Sequence, residues 1–287
     1  CYCFVHHWHS PIQQTLAPFI EGYQAGLFSG DTEYASVNLS SRSIHLFSAG
    51  RPLPALQHEL ESFASVCAQL NQTPAQNMIR ADLLSVRKLR NTDNGEDSFD
   101  AIAIASTNSD VMIRAKIVIS RMELFVFFQD WSSAAQLLRM LEEDPRAAAA
   151  GSWVYVRYTF LESLVSFKAA QAASSWATKR RWKKRGIRLM KQLHKWISKG
   201  GNPNIVHSLH LLTAELAAMK GNHSKAKESF KKAALVATTN GFVQDKGLAH
   251  ALASSYYAGQ GDQYWADYHR TNSQDAFREW GATALLV

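Results

Sequence analysis

Ala214-Glu215-Leu216-Ala217-Ala218-Met219-Lys220-Gly221-Asn222-His223-Ser224-Lys225-Ala226-Lys227-Glu228-Ser229-Phe230-Lys231-Lys232-Ala233 is the stretch on which the fold turns. Ala214 and Ala217 close one helical stripe, and Ala226, Phe230 and Ala233 open another at one-turn spacing. Between them, Gly221 suits a helix C-terminus and Asn222 offers a side-chain oxygen to cap the helix that follows. An alanine one turn past the cap lets the first helix cross closely, where a larger side chain would overfill the contact.

The unit recurs. Asp31 with Ala35, Asp130 with Ala134, and Asp262 with Ala266 repeat the cap and the small residue, preceded by Gly30, Gln129 and Gly261. Asp262 follows Asn222 by one unit, whereas the gaps from Asp31 to Asp130 and from Asp130 to Asn222 each leave room for two. A strict tetratricopeptide array repeats at about 34 residues, so these are longer, degenerate units of that kind. With 15 glycines, 7 prolines and few alternating strand patterns, the chain reads as all-α, a tetratricopeptide-like superhelix of antiparallel helix hairpins over residues 1–287. N-terminal hairpins occupy 1–90, with helices over 12–28 and 32–49. A polar surface loop covers 91–98. Central hairpins fill 99–199, with helices over 110–128 and 131–143, one long helix over 147–173 and a basic helix over 179–199. C-terminal hairpins occupy 200–287, and Trp280 closes the last helix.

Cys1, Cys3 and Cys67 cannot all pair, which gives no disulfide framework and favours a reduced, cytoplasmic setting. A chain that begins with Cys1 reads as a fragment of something longer. The most apolar stretch, 111–128, carries Arg114, Lys116, Arg121 and Glu123. Each would cost roughly 2.5–3.5 kcal/mol at the centre of a bilayer, so the stretch reads as a buried helix.

His194-Lys195-Trp196, Asn202-Pro203-Asn204, His207, Leu211-Leu212, Ala214-Glu215, Gly241-Phe242 and Arg278-Glu279-Trp280-Gly281-Ala282 follow one another in the C-terminal third. The opening adds His7-x-His9-Ser10-Pro11, Gly30-Asp31-x-Glu33-Tyr34-Ala35 and Gly50-x-Pro52-Leu53. Taken in order, these elements resemble the helical-repeat segment of large signalling ATPases of the AAA or STAND type. In that family the repeats follow a P-loop ATPase, often behind a kinase-like domain, and many members continue into GAF and histidine kinase domains. The resemblance implies a regulatory, signal-transducing context. It transfers no catalytic residue, because the family's catalytic motifs lie in other domains. Arg270 and Ser273 depart from the pattern, standing where the last unit has an apolar residue and an alanine.

Catalytic, cofactor and metal sites are not expected in this segment. No phosphate-binding glycine loop and no nucleophile elbow is present. His58-Glu59-Leu60-Glu61-Ser62 starts like a zinc-protease helix and faintly resembles the phospho-accepting box of histidine kinases. Ser62 replaces the second histidine of the first, and the second lacks its proline, so an exposed helix face is the better reading. Cys1, Cys3, His6, His7 and His9 gather zinc-compatible ligands in one short stretch, but structural zinc sites draw paired ligands from two segments, and a helix end accounts for them better.

The strongest candidate is the basic helix. Lys179, Arg180, Arg181, Lys183, Lys184, Arg185, Arg188, Lys191, Lys195 and Lys199 are uninterrupted by any acid, and they account for the chain's net charge of +7. Trp182, Leu189, Leu193 and Trp196 share one face. The simplest reading buries that stripe and solvates the charges. The functional reading makes Arg180, Arg181, Lys183, Lys184, Arg188 and Lys191 contacts for an acidic protein, peptide or neighbouring domain, or for an anionic membrane surface. Specific nucleic-acid binding ranks lower, because no helix-turn-helix, finger or RNA-binding signature accompanies the charges. The expected function is therefore a non-catalytic interaction and regulatory segment of a signal-transduction ATPase or kinase. The alternatives are part of an enzyme whose catalytic domain lies elsewhere and a membrane-peripheral scaffold.

Overall fold

Asn222 Oδ1 accepts the Lys225 N–H at 3.1 Å, and Asp31, Asp130 and Asp262 accept the N–H of Tyr34, Ser133 and Trp265 at 2.9, 3.0 and 3.4 Å. Each cap follows a residue in the left-handed region, Gly221 at φ 71°, Gly30 at 76°, Gly261 at 75° and Gln129 at 54°. The cap's own N–H returns to a carbonyl five residues back, as from Asn222 to Ala217 at 3.0 Å and from Asp130 to Phe125 at 2.8 Å. Ala35, Ala134, Ala226 and Ala266 are all 0 % exposed. The first crossing shows why small residues stand there: a Cβ on Gly26 would lie 2.8 Å from the backbone nitrogen of Ala35. Asn71-Gln72 and Gly241-Phe242 make the same turn without a side-chain cap, Asn71 and Gly241 having φ of 57° and 74°.

The computed structural model describes residues 4–93, 95, 98–105, 111–141 and 144–286. These form an all-α protein with no strand among the described residues. The helices are α1 (Leu16–Ser29), α2 (Thr32–Ser48), α3 (Leu53–Gln69), α4 (Thr73–Leu89), α5 (Phe99–Ala105), α6 (Val111–Phe127) and α7 (Trp131–Met140). They continue as α8 (Pro145–Ala148), α9 (Trp153–Ala172), α10 (Trp176–Gly200), α11 (Val206–Met219), α12 (His223–Thr239), α13 (Val243–Gly259) and α14 (Gln263–Trp280). The continuous helix expected over 147–173 is instead broken. Gly151 adopts φ 79° and Ser152 is extended, its hydroxyl donating to the Ala149 carbonyl at 2.7 Å, so α9 starts afresh at Trp153. Part of the 91–98 loop and the residues 106–110, which precede α6, lie outside the described residues.

Hairpins α1/α2, α3/α4, α6/α7, α9/α10, α11/α12 and α13/α14 pack side by side, and α2, α4, α6, α9, α11 and α13 touch in succession as an inner row. The inner member is the second helix of the first two hairpins and the first helix of the later ones. A uniform tetratricopeptide stack keeps one member inside throughout, and the change falls where α5 intervenes between α4 and α6.

The two ends of the array meet. Asn204 donates from Nδ2 to the His7 and Ser10 carbonyls at 2.8 and 2.9 Å and accepts the Ile12 N–H at 2.8 Å. Gln244 donates to the Ser48 carbonyl at 2.6 Å, and Thr283 to the Arg90 carbonyl at 2.6 Å. Trp280, 0 % exposed, packs against Phe47 and Phe127 with ring centroids 5.7 and 5.1 Å away. The opening motif His7-x-His9-Ser10-Pro11 thus sits on Asn202-Pro203-Asn204. A Cβ on Gly281 would lie 2.6 Å from Pro54, which places the closing Trp280-Gly281-Ala282 motif against α3.

Candidate functional site: the cationic face of α10

Helix α10 begins where Ser175 accepts the Thr178 N–H on its hydroxyl at 3.2 Å and ends at Gly201, in the left-handed region. Trp182, Leu189 and Leu193 are buried against the rest of the array. Gly186 lets α9 approach, since a Cβ there would meet the Phe167 ring at 2.6 Å, and the Gly186 carbonyl accepts the Ser163 hydroxyl at 2.9 Å. Holding one face this firmly fixes where the opposite face points.

At 100° per residue, Arg180, Arg181, Lys184, Arg188, Lys191, Lys195 and Lys199 fall within an arc of about 100°, and all seven are exposed. Nineteen residues of helix span about 28 Å. Of the ten cations only Arg185 has a carboxylate partner among the described residues: its Nε lies 2.6 Å from Glu162 Oε1, and Arg146 shares that carboxylate at 3.2 Å. Arg180 also stacks over the exposed Trp176 ring, 5.3 Å from its centroid. Like charges four residues apart each cost a few tenths of a kcal/mol. A row of them without an acid is a positive field that reaches beyond the surface by about 8 Å at physiological salt.

The residues expected as contacts divide. Arg180, Arg181, Lys184, Arg188 and Lys191 share the ridge, whereas Lys183 is half-buried on the flank. Lys195 and Lys199 join the ridge and were missed, because the charge cluster is densest near the helix start and drew the reading there. Burial of the apolar stripe has a direct consequence. Insertion of an amphipathic helix into a lipid surface or a hydrophobic groove needs that stripe free, and here it is covered.

The inner row carries polar chemistry that sequence reading did not assign. Arg157 donates from Nε to Glu123 at 2.7 Å and from Nη1 to both oxygens of Asp245 at 2.9 Å, and His207 Nε2 lies 2.8 Å from Asp245. All four are buried. Burial alone would raise the Asp245 pKa, but Arg157 and His207 more than offset it and hold the carboxyl down at about 2. Burial keeps the Glu123 carboxyl above its ordinary value. A second group joins Ser43, Asp82 and Lys116 across α2, α4 and α6: Ser43 donates to Asp82 at 2.9 Å, and Lys116 pairs with the other oxygen. The chain's own side chains thus satisfy one another's charges at these two places between inner helices. The signal was present as charges within the apolar 111–128 stretch, where Lys116 and Glu123 stand.

Other motifs resolve into packing. Glu59 pairs with Arg51 at 2.9 Å and Arg42 at 3.5 Å, Leu60 is buried, and His58 is 83 % exposed beside Glu61. His9 Nδ1 lies 3.0 Å from the Gly200 carbonyl, while Cys1 and Cys3 fall outside the described residues. Among the described residues no three His, Cys, Asp or Glu side chains are grouped as a metal site, and no helix is long and apolar enough to cross a membrane. No family model matches the chain, and no curated protein or solved structure matches it.

Proposed function

We propose that this chain is a non-catalytic interaction and regulatory segment of a signal-transduction ATPase or kinase, and that the α10 ridge docks an acidic protein surface or neighbouring domain in the cytoplasm. The observation that carries the reading is the row of seven exposed cations on a rigidly held helix, without a carboxylate partner among the described residues. The coherence of the family-like motifs supports the context. His7-x-His9-Ser10-Pro11, Asn202-Pro203-Asn204 and Trp280-Gly281-Ala282 all make contacts that join the two ends, which gives them an architectural role together.

The experiment compares the protein with a Lys184→Glu/Arg188→Glu/Lys191→Glu variant. The probes are a Glu/Asp-rich helical peptide and phosphatidylserine vesicles, at about 50 and about 300 mM salt. The peptide should bind the protein at low salt, lose affinity as salt rises, and bind the variant at least tenfold more weakly while helical CD is unchanged. Equal binding by both proteins at low salt refutes the ridge as the contact. Vesicle binding that exceeds peptide binding refutes the protein partner in favour of a membrane surface.

A further inference from the structure

A cavity of about 230 Å³ lies between α2, α4, α6 and the start of α9, away from the α10 ridge. Its walls are apolar: Ile44 from α2, Ala75 and Met78 from α4, Ile113 and Ala115 from α6, and Trp153 from α9. Phe4, Val37 and Met112 also line it and are 52, 48 and 40 % exposed, so the cavity has a route to solvent past three apolar side chains.

Most polar groups in the lining are committed to the protein itself, the buried Trp153 indole N–H being without a hydrogen-bond partner among the described residues. Ser40 donates to the Val37 carbonyl at 3.0 Å, and Ser152 to the Ala149 carbonyl at 2.7 Å. His45 Nδ1 bonds Thr15 at 2.7 Å, and the Lys116 ammonium is neutralised by Asp82. An anionic or cationic ligand would therefore bring a charge into this space with no counter-charge to meet it, at a large desolvation cost. Two thioethers, Met78 and Met112, and two rings, Phe4 and Trp153, instead favour the face or edge of another ring.

Size narrows the class further. An apolar cavity of roughly 150 Å³ stays dry and holds benzene. By the same proportion, about 230 Å³ suits a fused bicycle of roughly ten heavy atoms. We propose that the cavity between α2, α4, α6 and α9 is a binding site for a planar, uncharged aromatic small molecule of that size. Bound there, the ligand touches four helices of the inner row and so biases how they pack. The site shares no residue with the α10 ridge, and each test fails without the other.

Titration calorimetry with naphthalene, and with 2-naphthoate as its charged counterpart, tests the site on the full chain. Naphthalene should bind saturably at one site and raise the thermal midpoint, and 2-naphthoate should bind at least tenfold more weakly. Ala75→Phe and Ala115→Leu, which fill the space from two different helices, should each weaken naphthalene at least tenfold without lowering the midpoint of the free protein. Val37→Asp alters a half-exposed residue at the mouth, where folding is not at stake, and should weaken naphthalene likewise. Absence of saturable binding to the unaltered protein overturns the proposal. So does affinity undiminished in Val37→Asp and in whichever filled variant folds, and 2-naphthoate binding as tightly as naphthalene overturns the uncharged class.

Discussion

Acidification from about pH 7 to about pH 5 should destabilise the protein by about 4 kcal/mol through two histidines, His45 and His250. His45 is 1 % exposed, with Phe19 edge-on at 4.9 Å. Thr15 donates its hydroxyl proton to the Ile12 carbonyl at 2.6 Å, so His45 Nδ1 donates to the Thr15 oxygen as a neutral imidazole. Burial, then the His7 ring, lowers its pKa to about 3. His250 and His269 share a hydrogen bond between their Nδ1 atoms at 2.8 Å, which two imidazolium rings cannot make. Burial, followed by His269 and Lys246, lowers the His250 pKa to about 4.

Both rings are bases with native values below the unfolded one, so the unfolded chain binds more protons between the native value and about 6.5. Stability is fully present above about 6.5 and falls as pH drops through that window. At about pH 5 an unfolded histidine is almost wholly protonated while both native rings stay neutral, which costs about 2 kcal/mol per ring. Urea unfolding followed by CD at about pH 7, 6 and 5 measures the slope, and a His45→Gln/His250→Gln variant isolates it. His210, also lowered by burial, and Glu123, whose raised value acts in the opposite sense, remain in both proteins and cancel in the comparison, whereas His269, bonded to His250, changes with it and belongs to the measured difference. The variant should lose about 4 kcal/mol less than the parent across that range. Equal losses in the two proteins would refute the assignment of acid sensitivity to these rings.

Ala226→Leu, at a fully buried crossing of α11 and α12, should cost about 1–3 kcal/mol in urea unfolding, against about 1 kcal/mol for loss of the neighbouring cap in Asn222→Ala. A neutral Ala226→Leu would remove close crossing as the reason for alanine there. Asp245→Ala leaves Arg157 buried with Glu123 as its remaining carboxylate and should cost about 3–5 kcal/mol, with His207 losing its partner as well. A loss below about 1 kcal/mol would mean that water reaches the site on substitution.

Local chemistry was legible in the sequence because it acts over a few residues. A cap, a left-handed residue before it and a small residue one turn later all lie within one short stretch, and all four such stretches form the expected turns. The basic helix was legible for the same reason, and its ends moved only to Trp176 and Gly200. The break at Gly151 was hidden by the alanines before it, which favour helix on their own. Closure of the array depends on pairs such as Ile12 with Asn204 and Ser48 with Gln244, whose positions carry no shared periodicity. Nor does the cavity leave a linear trace: its walls come from four helices and each residue there reads as ordinary core.

The contacts of Asn204, Gln244 and Trp280 with the opening hairpins change how the molecule comes apart. An open row of hairpins can fray one unit at a time from either terminus, because each unit leans only on its neighbours. Here the outermost hairpins lean on each other, so loosening one exposes apolar surface of the other and the row has no free edge at which melting begins. A strain placed on any one hairpin is thereby shared around the whole circuit.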